Sequence, residues 1–190
     1  MAKETKTEAL TAEEAAKQYT NSLVEKALKA EKVYATYTQE QVDKIVAAMA
    51  LAGSEASLQL AKEAHDETGR GVVEDKDTKN HFATEYVYER IKNEKTVGII
   101  GEDKVAGSIE IAAPLGVLAG IVPTTNPTST TMFKILVALK TRNAIVFAFH
   151  PAAQKCSAHA AQILYDAAVK AGAPENIVQW IETPSIANTG

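Results

Sequence analysis

Hydrophobic residues recur every three or four positions in the first half of the chain, and this spacing predicts helices. The first predicted helix follows Thr11 and Glu14, which have the spacing of a capping box. Its apolar face consists of Ala16, Tyr19, Leu23, Ala27 and Ala30. A second capping box, at Thr38 and Gln41, precedes a helix whose apolar face consists of Val42, Ile45, Val46 and Met49.

Glycines and polar residues divide the rest of this helical region, 1–95. We expect Gly53–Ser54 to interrupt the second helix and to start a third, which Gly69 ends. A fourth helix is predicted over about Lys79–Lys92, and it carries Phe82, Tyr86 and Ile91.

Short apolar runs bounded by glycine and proline replace this pattern after residue 95. Thr96–Ile100 and Ser108–Ala112 predict a hairpin within 96–113. Beyond it, over 114–190, strands alternate with helices in the order Gly116–Val122, Ser129–Lys140, Ala144–Phe149, Pro151 to about Ala171, and Ile177–Ile181. The nearly continuous apolar runs of these strands are typical of strands covered on both faces.

The alternation of strands and helices predicts an α/β fold. N-terminal helices and a short β-hairpin lead into the first half of a Rossmann-like, doubly wound parallel sheet. Right-handed crossovers place both connecting helices on one face of three parallel strands. The other face is then bare unless further elements follow, so we expect the chain to be an N-terminal fragment of a domain.

Composition excludes several classes of partner. The 190 residues carry 20 Lys and Arg against 24 Asp and Glu, a net charge of -4, which argues against nucleic acid and against an anionic membrane surface. The single cysteine, Cys156, indicates a reducing compartment. The N-terminus has no apolar signal segment, and no apolar run is long enough to span a bilayer. We therefore expect a cytoplasmic protein.

The turn after the first strand of the parallel sheet is the most unusual segment. Every residue of 123–131 is Pro, Thr, Ser or Asn. Ligands of open α/β sheets bind at the carboxyl ends of strands, so this turn is a candidate site. The alternative is a helix cap without a ligand, and the turn alone leaves both open. The chain contains no G-x-G-x-x-G after this strand and no P-loop motif.

Cys156 and His159 share one face of a predicted helix but do not predict a metal site. A zinc site needs three or four ligands, and this pair supplies two. Cys156 is interpreted as structural. His150, after the second strand of the parallel sheet, either has a polar role near a ligand or caps the following helix.

Several long motifs resemble the bifunctional aldehyde–alcohol dehydrogenases. They are Gly120–Thr130, Lys140–Phe147, Phe149–Pro151, Ala171–Pro174, Tyr37–Ile45, Glu74–Lys76 and Lys79–Ala83. Together they cover nearly the whole chain after its first ten residues. The resemblance implies a CoA-acylating aldehyde dehydrogenase domain that interconverts acetyl-CoA and acetaldehyde with NAD. It also implies a second, iron-dependent domain that produces ethanol, and a homo-oligomer or helical filament.

The resemblance assigns NAD contact to Ile121, Val122, Pro123, Thr124, Thr125 and Asn126. In the wider aldehyde dehydrogenase family an Asn at this strand end polarises the reacting carbonyl. Here a gap-free match puts Thr125 at that position and Asn126 one residue later, and the resemblance leaves open which of them, if either, has that role. Ala148 stands where many aldehyde dehydrogenases have a Lys that binds the adenine ribose, and this departure favours the CoA-dependent class.

The family mechanism needs a cysteine nucleophile, which the resemblance places beyond residue 190. We therefore expect no catalytic residue and no metal site in this chain, and no activity from the chain alone. Two alternatives remain open at this point. They are an aldehyde dehydrogenase that produces the free acid without CoA, and a non-catalytic interaction module with this fold.

Overall fold

The computed structural model describes residues 11–184. The part of the chain before the first strand is helical, as expected. Its elements are α1 (Ala12–Tyr34), α2 (Gln39–Glu55), α3 (Ser57–Thr68), α4 (Val73–His81), a π-helical segment (Phe82–Tyr86) and α5 (Val87–Ile91). No helix among the residues that the structure describes is both long and apolar enough to cross a membrane.

Both predicted capping boxes are present. Thr11 and Glu14 bond reciprocally at the start of α1, and Thr38 and Gln41 do the same for α2. The apolar faces predicted behind them are buried, except that Tyr19 is half-buried. Gly69 ends α3 in the left-handed conformation, with φ 62°, which glycine adopts without a steric penalty.

The expected break at Gly53–Ser54 is wrong, because α2 continues to Glu55 and α3 begins without a side-chain cap. Gly53 is buried inside the helix. A Cβ built on it would lie 2.7 Å from Cγ2 of Thr84 and 3.1 Å from Cδ1 of Leu164. The glycine therefore serves close packing between elements rather than ending a helix.

The fourth predicted helix begins earlier than expected, at Val73. Its polar first turn has no helical pattern of apolar residues, so hydrophobic spacing did not predict it. It passes into the π-helical segment and then α5. Phe82 and Tyr86 of this predicted helix are exposed rather than buried in the core. They are 61% and 65% exposed, and their rings stack with centroids 5.9 Å apart.

Strands β1 (Gly98–Asp103) and β2 (Ser108–Ala112) form the predicted antiparallel hairpin. The register shifts between Ile99 and Gly101, as at a β-bulge. The hairpin carries exposed apolar side chains, among them Ile99, Ile109 and Ile111. Its two strands form a sheet of their own.

The predicted strand–helix alternation follows the hairpin. The elements are β3 (Val117–Val122), α6 (Pro127–Lys140), β4 (Ala144–Phe149), a 3₁₀ turn (Pro151–Ala153), α7 (Gln154–Ala171) and β5 (Val178–Trp180). The three strands are parallel, in the order β3-β4-β5. The α/β class and the half-sheet topology predicted from the sequence are confirmed.

Two expectations about the sheet are wrong. Its β3 strand is not covered on both faces, because Ala119 and Ile121, which share one face of the strand, are exposed. The face opposite the crossover helices is not bare, because α1 lies against all three strands. Nε2 of Gln179 donates to the Leu23 carbonyl at 2.7 Å, and the Glu182 N–H donates to Oη of Tyr19 at 3.2 Å.

Lys140, at the end of α6, joins the helical layer to the sheet. Its side chain is 3% exposed, and Nζ lies 2.5 Å from Oδ1 of Asp43 on α2. The same Nζ donates to the carbonyl of Lys92, after α5, at 3.2 Å. The hydroxyl of Thr96, before β1, donates to the Lys140 carbonyl at 2.7 Å.

Arg142 and Asn143 extend this connection to α1 and to the strands. The Arg142 guanidinium donates to the carbonyls of Ala35, after α1, and Ala112, at the end of β2. Oδ1 of Asn143 accepts from the N–H groups of Leu115 and Gly116, just before β3. We call residues 140–143 the connecting segment.

Replacing Asp43 by Ala should lower the free energy of unfolding by about 2–3 kcal/mol, because it leaves the buried Lys140 ammonium without its carboxylate. The double variant Asp43→Ala/Lys140→Met should recover at least about 1 kcal/mol relative to the sum of the single variants. Urea denaturation of all four proteins measures this coupling. Additive losses would contradict it.

Candidate functional site at the end of strand β3

The polar turn predicted as the candidate site connects β3 to α6. Its residues Ile121–Asn126 run from the last two positions of the strand to the residue that precedes the helix. Asn126 is the N-cap residue of α6, and its carbonyl accepts the Thr130 N–H at 3.1 Å. Pro127 occupies the first turn of the helix, where a missing N–H costs no hydrogen bond.

A cavity of about 790 Å³ lies between α1 and strands β3 and β4, and it extends to residues that follow the ends of β4 and β5. Most of its wall is aliphatic or aromatic. Its lining residues are Thr20, Val24, Val117–Val122, Val146–Pro151, Ile181 and Pro184. We call it the sheet cavity. Its size and its position at the carboxyl ends of parallel strands fit an organic ligand.

A second concavity, of about 580 Å³, lies beside the other end of the turn, between α4 and α6. Apolar rings and polar side chains both line it. The lining residues are Thr78, Lys79, Phe82, Ala83, Val87, Asn126, Ser129, Thr130 and Phe133. We call it the helix groove. The exposed Phe82 therefore belongs to a concave surface rather than to the core.

The six residues predicted to bind NAD divide between these two concavities. Ile121 and Val122 line the sheet cavity, and Asn126 lines the helix groove. Pro123, Thr124 and Thr125 connect the two ends, and Thr125 is exposed. The Lys134 ammonium of α6 donates to the Ile121 carbonyl at 2.6 Å and so holds the end of the strand.

Two lysines of α4, which the sequence had not indicated, contact the turn. Nζ of Lys76 lies 3.4 Å from the Thr125 carbonyl oxygen, and Nζ of Lys79 lies 3.1 Å from Oδ1 of Asn126. Burial lowers the pKa of Lys76, and the nearby charge of Lys79 lowers it further. A spacing of three residues puts both side chains on one helix face, a signal that was missed because the helix was predicted to begin at Lys79.

Buried hydrogen bonds hold the start of α6 against α4 and α3. Oγ1 of Thr128 donates to Oδ1 of Asn80 at 2.8 Å, and Nδ2 of Asn80 donates to the Ser57 carbonyl at 3.0 Å. All three residues are at most 2% exposed. Helix α4 therefore fixes the turn by buried contacts as well as by the two lysines.

His150 follows β4 and caps the 3₁₀ turn after it. Nδ1 of His150 accepts the Ala152 N–H at 3.1 Å. Of the two roles considered for this residue, the cap is present. The ring also lines the sheet cavity, beside Ala148.

Comparison with known proteins decides the family of this chain. The model of the aldehyde dehydrogenase family matches residues 2–189. The chain belongs to the aldehyde dehydrogenase family. It is 55% identical over 166 residues to the bifunctional aldehyde-alcohol dehydrogenase of Escherichia coli (strain K12), a match that covers 87% of the chain and 19% of that protein. The predicted resemblance to the aldehyde–alcohol dehydrogenases is confirmed.

Solved aldehyde dehydrogenases have the same fold. An acetylating aldehyde dehydrogenase from Geobacillus thermoglucosidasius superposes with a TM-score of 0.91 at 48% identity, over 95% of this chain and 40% of that one. A propionaldehyde dehydrogenase from Rhodopseudomonas palustris, described with bound CoA and an acylated cysteine, has a TM-score of 0.75 at 29% identity. This match covers 90% of this chain and 38% of that one. An engineered glycolyl-CoA reductase with bound NADP⁺ has a TM-score of 0.74 at 29% identity. This match also covers 90% of this chain and 38% of that one. The chain thus spans about two fifths of these structures.

Cys156 is poorly suited to be the nucleophile of an aldehyde dehydrogenase. It is 2% exposed and lies at the start of α7, outside both concavities. Burial, followed by the nearby Glu67 carboxylate, raises the pKa of its thiol to about 12. Glu67 accepts the N–H groups of Lys155 and Cys156 and so caps the helix. This environment agrees with the structural role interpreted from the sequence.

His159 pairs with a carboxylate rather than with Cys156. Its Nδ1 lies 2.7 Å from Oε2 of Glu63 on α3. Within residues 11–184, no group of three or more His, Cys, Asp or Glu side chains is arranged to hold a metal ion.

The Cys156 thiol should resist alkylation while the chain is folded. At pH 8 a pKa of about 12 leaves roughly one thiol in 10,000 ionised, and the thiolate is the reactive form. Mass spectrometry after treatment with iodoacetamide should show an unmodified native chain and a fully labelled chain in urea. Rapid, stoichiometric labelling of the folded chain would contradict this environment.

Proposed function

We propose that this chain forms one side of the active site of an NAD-dependent, CoA-acylating aldehyde dehydrogenase, which interconverts acetyl-CoA and acetaldehyde. Family membership and the acetylating relatives support the reaction class. The chain spans about a fifth of the E. coli relative, so the activity is proposed for a longer protein that carries this chain.

The observation that carries this proposal is the position of Ile121–Asn126 between two concavities. One end of the segment lines the sheet cavity, and the other lines the helix groove. A dehydrogenase must place a dinucleotide beside a carbonyl substrate, because hydride passes directly between them. A polar turn that borders both concavities supports this proposal.

The sheet cavity fits one end of a dinucleotide. Its volume of about 790 Å³ is in the range of small-molecule sites, and its apolar walls suit a planar ring. Ile121 and Val122 would contact the cofactor there, and Pro123, Thr124 and Thr125 would face it across the turn. NAD supplies the hydride acceptor of the reaction, and the residues of this chain bind it and exclude water around it.

The helix groove fits the carbonyl substrate. Phe82 and Phe133 give it apolar walls, and Asn126 provides a carboxamide at the turn. A donor in this position would stabilise the negative charge that develops on the thioester oxygen. The nucleophilic cysteine would come from another part of the full-length enzyme, since Cys156 is buried and protonated at neutral pH.

The wider proposal follows the aldehyde–alcohol dehydrogenase relatives. The full-length protein would have a second, iron-dependent domain that reduces acetaldehyde to ethanol, and it would assemble as a homo-oligomer or helical filament. We place it in the cytoplasm, without nucleic acid or membrane partners. The acidic composition argues against nucleic acid and against an anionic membrane surface as partners.

The assay that tests the function uses the full-length enzyme. It should oxidise NADH in the presence of acetyl-CoA and release CoA, whereas residues 1–190 alone should be inactive because they lack the nucleophile. In the reverse direction, acetaldehyde oxidation should require CoA. Equal oxidation without CoA would instead support an aldehyde dehydrogenase that forms the free acid, and no turnover at all would support an interaction module.

Filling the sheet cavity should weaken cofactor binding. Ala148→Leu puts a larger side chain on the cavity wall, and we expect the dissociation constant for NADH to rise at least about tenfold in the full-length enzyme. Fluorescence titration measures it. Ala158→Leu is the matched control, because Ala158 is also half-buried but lies outside the cavity. Equal affinity for NADH in the wild-type and Ala148→Leu enzymes would show that the cofactor does not bind in this cavity.

A further inference from the structure

Lys76 is a buried lysine without a carboxylate partner. It is 4% exposed, and none of the ion pairs within residues 11–184 includes it. The acidic residues that precede it in α4, Glu74 and Asp75, are exposed. Burial lowers the pKa of Lys76, and the charge of Lys79 lowers it further. The folded protein therefore holds this ammonium less well than water does.

The position of the ammonium adds to this cost. Lys76 is the fourth residue of α4, and its Nζ lies 3.4 Å from the carbonyl oxygen of Thr125, just before the N-cap residue of α6. The N-terminus of a helix carries a partial positive charge, which disfavours a nearby cation. A Cβ built on Gly71 would lie 3.7 Å from Cε of Lys76, so the loop before α4 covers the side chain. An apolar side chain of similar length would fill the same space without a buried charge.

The contact that the ammonium makes is with the turn of the candidate site. Lys76 and Asn80 are one helical turn apart on α4, and they hold this turn on the two sides of Asn126. Nζ of Lys76 contacts the Thr125 carbonyl, and Oδ1 of Asn80 accepts the Thr128 hydroxyl at 2.8 Å. The planar peptide group between Thr125 and Asn126 thus has its oxygen directed towards α4.

We propose, on the basis of the function proposed above, that Lys76 is a positioning residue for the cofactor. Its ammonium holds the Thr125 peptide, so that the turn keeps the conformation in which Ile121–Asn126 contacts NAD. The buried charge lowers the stability of the chain and raises the affinity of the site. Groups whose pKa is shifted by burial are concentrated at functional sites, where stability is commonly lower than it could be.

The test uses Lys76→Met in the full-length enzyme, which removes the ammonium and keeps an unbranched side chain. We expect KM for NAD in the CoA-dependent oxidation of acetaldehyde to rise about three- to tenfold, the effect of losing one such restraint. Turnover at saturating NAD and KM for CoA should change less than about twofold, because Lys79 and Asn80 still hold the start of α6. The rate is measured from the formation of acetyl-CoA.

The stability of the variant separates positioning from a structural role. The melting temperature of Lys76→Met should equal or exceed that of the wild-type enzyme, because the substitution removes a buried charge that has no carboxylate partner. A residue whose role is structural would instead lower the melting temperature when it is replaced.

Lys140→Met is the matched control. Lys140 is also a buried lysine, but it pairs with Asp43 and lies outside both concavities. Its replacement should lower the melting temperature, since it removes a paired ammonium, and should leave KM for NAD unchanged. The two buried lysines are thus expected to have opposite effects on stability and on cofactor affinity.

The outcomes distinguish this proposal from the function on which it rests. If the wild-type enzyme does not form acetyl-CoA from acetaldehyde, CoA and NAD, the proposed function fails. If the wild-type enzyme is active and Lys76→Met retains its KM for NAD, only the positioning role is overturned. A lower melting temperature or a loss of folded protein in Lys76→Met also overturns that role, because Lys76 would then be a structural residue.

Discussion

The connecting segment, residues 140–143, is the constraint on which the arrangement of layers depends. Three of its four residues, Lys140, Arg142 and Asn143, bond to α2, to the residue after α1, to the end of α5, to the hairpin and to the residues just before β3. Arg142 adopts a left-handed backbone conformation there, with φ 60°, which a non-glycine residue maintains only when surrounding contacts hold it. This segment appears among the motifs that resemble the family, and its contacts give the physical reason for that residue pattern.

The candidate site depends on the same coupling between layers. The turn after β3 belongs to the sheet by connectivity, but residues of α4 hold its shape. Asn80 bonds Thr128 inside the protein, and two lysines contact Thr125 and Asn126 from the same helix. A polar turn at a strand end is otherwise free to adopt several conformations. Here contacts from the helical layer hold the turn in one conformation, and a binding or catalytic site needs such fixed side chains.

Much of the fold follows from local patterns, and these were predictable. The two capping boxes start α1 and α2, and β2 and β4 have the predicted bounds. The errors occur where a distant contact decides the local structure. Gly53 lies inside a helix at a place where Thr84 and Leu164 approach it closely, and one face of β3 is exposed at Ala119 and Ile121. The turn was predicted as a site, whereas Lys76 and Lys79 were not, because their contacts join residues nearly fifty positions apart.

We expect the hairpin of β1 and β2 to be less stable than the parallel sheet. Its strands pack mainly on each other and carry exposed isoleucines, and two strands alone are marginally stable in water. It is held at its base, where Oε1 of Gln39 accepts the Thr96 and Val97 N–H groups and Arg142 donates to the Ala112 carbonyl. Its amide hydrogens should therefore exchange with solvent through local opening, whereas those of β4 need disruption of the core. We therefore expect the hairpin, with its exposed isoleucines, to open without unfolding of the parallel sheet.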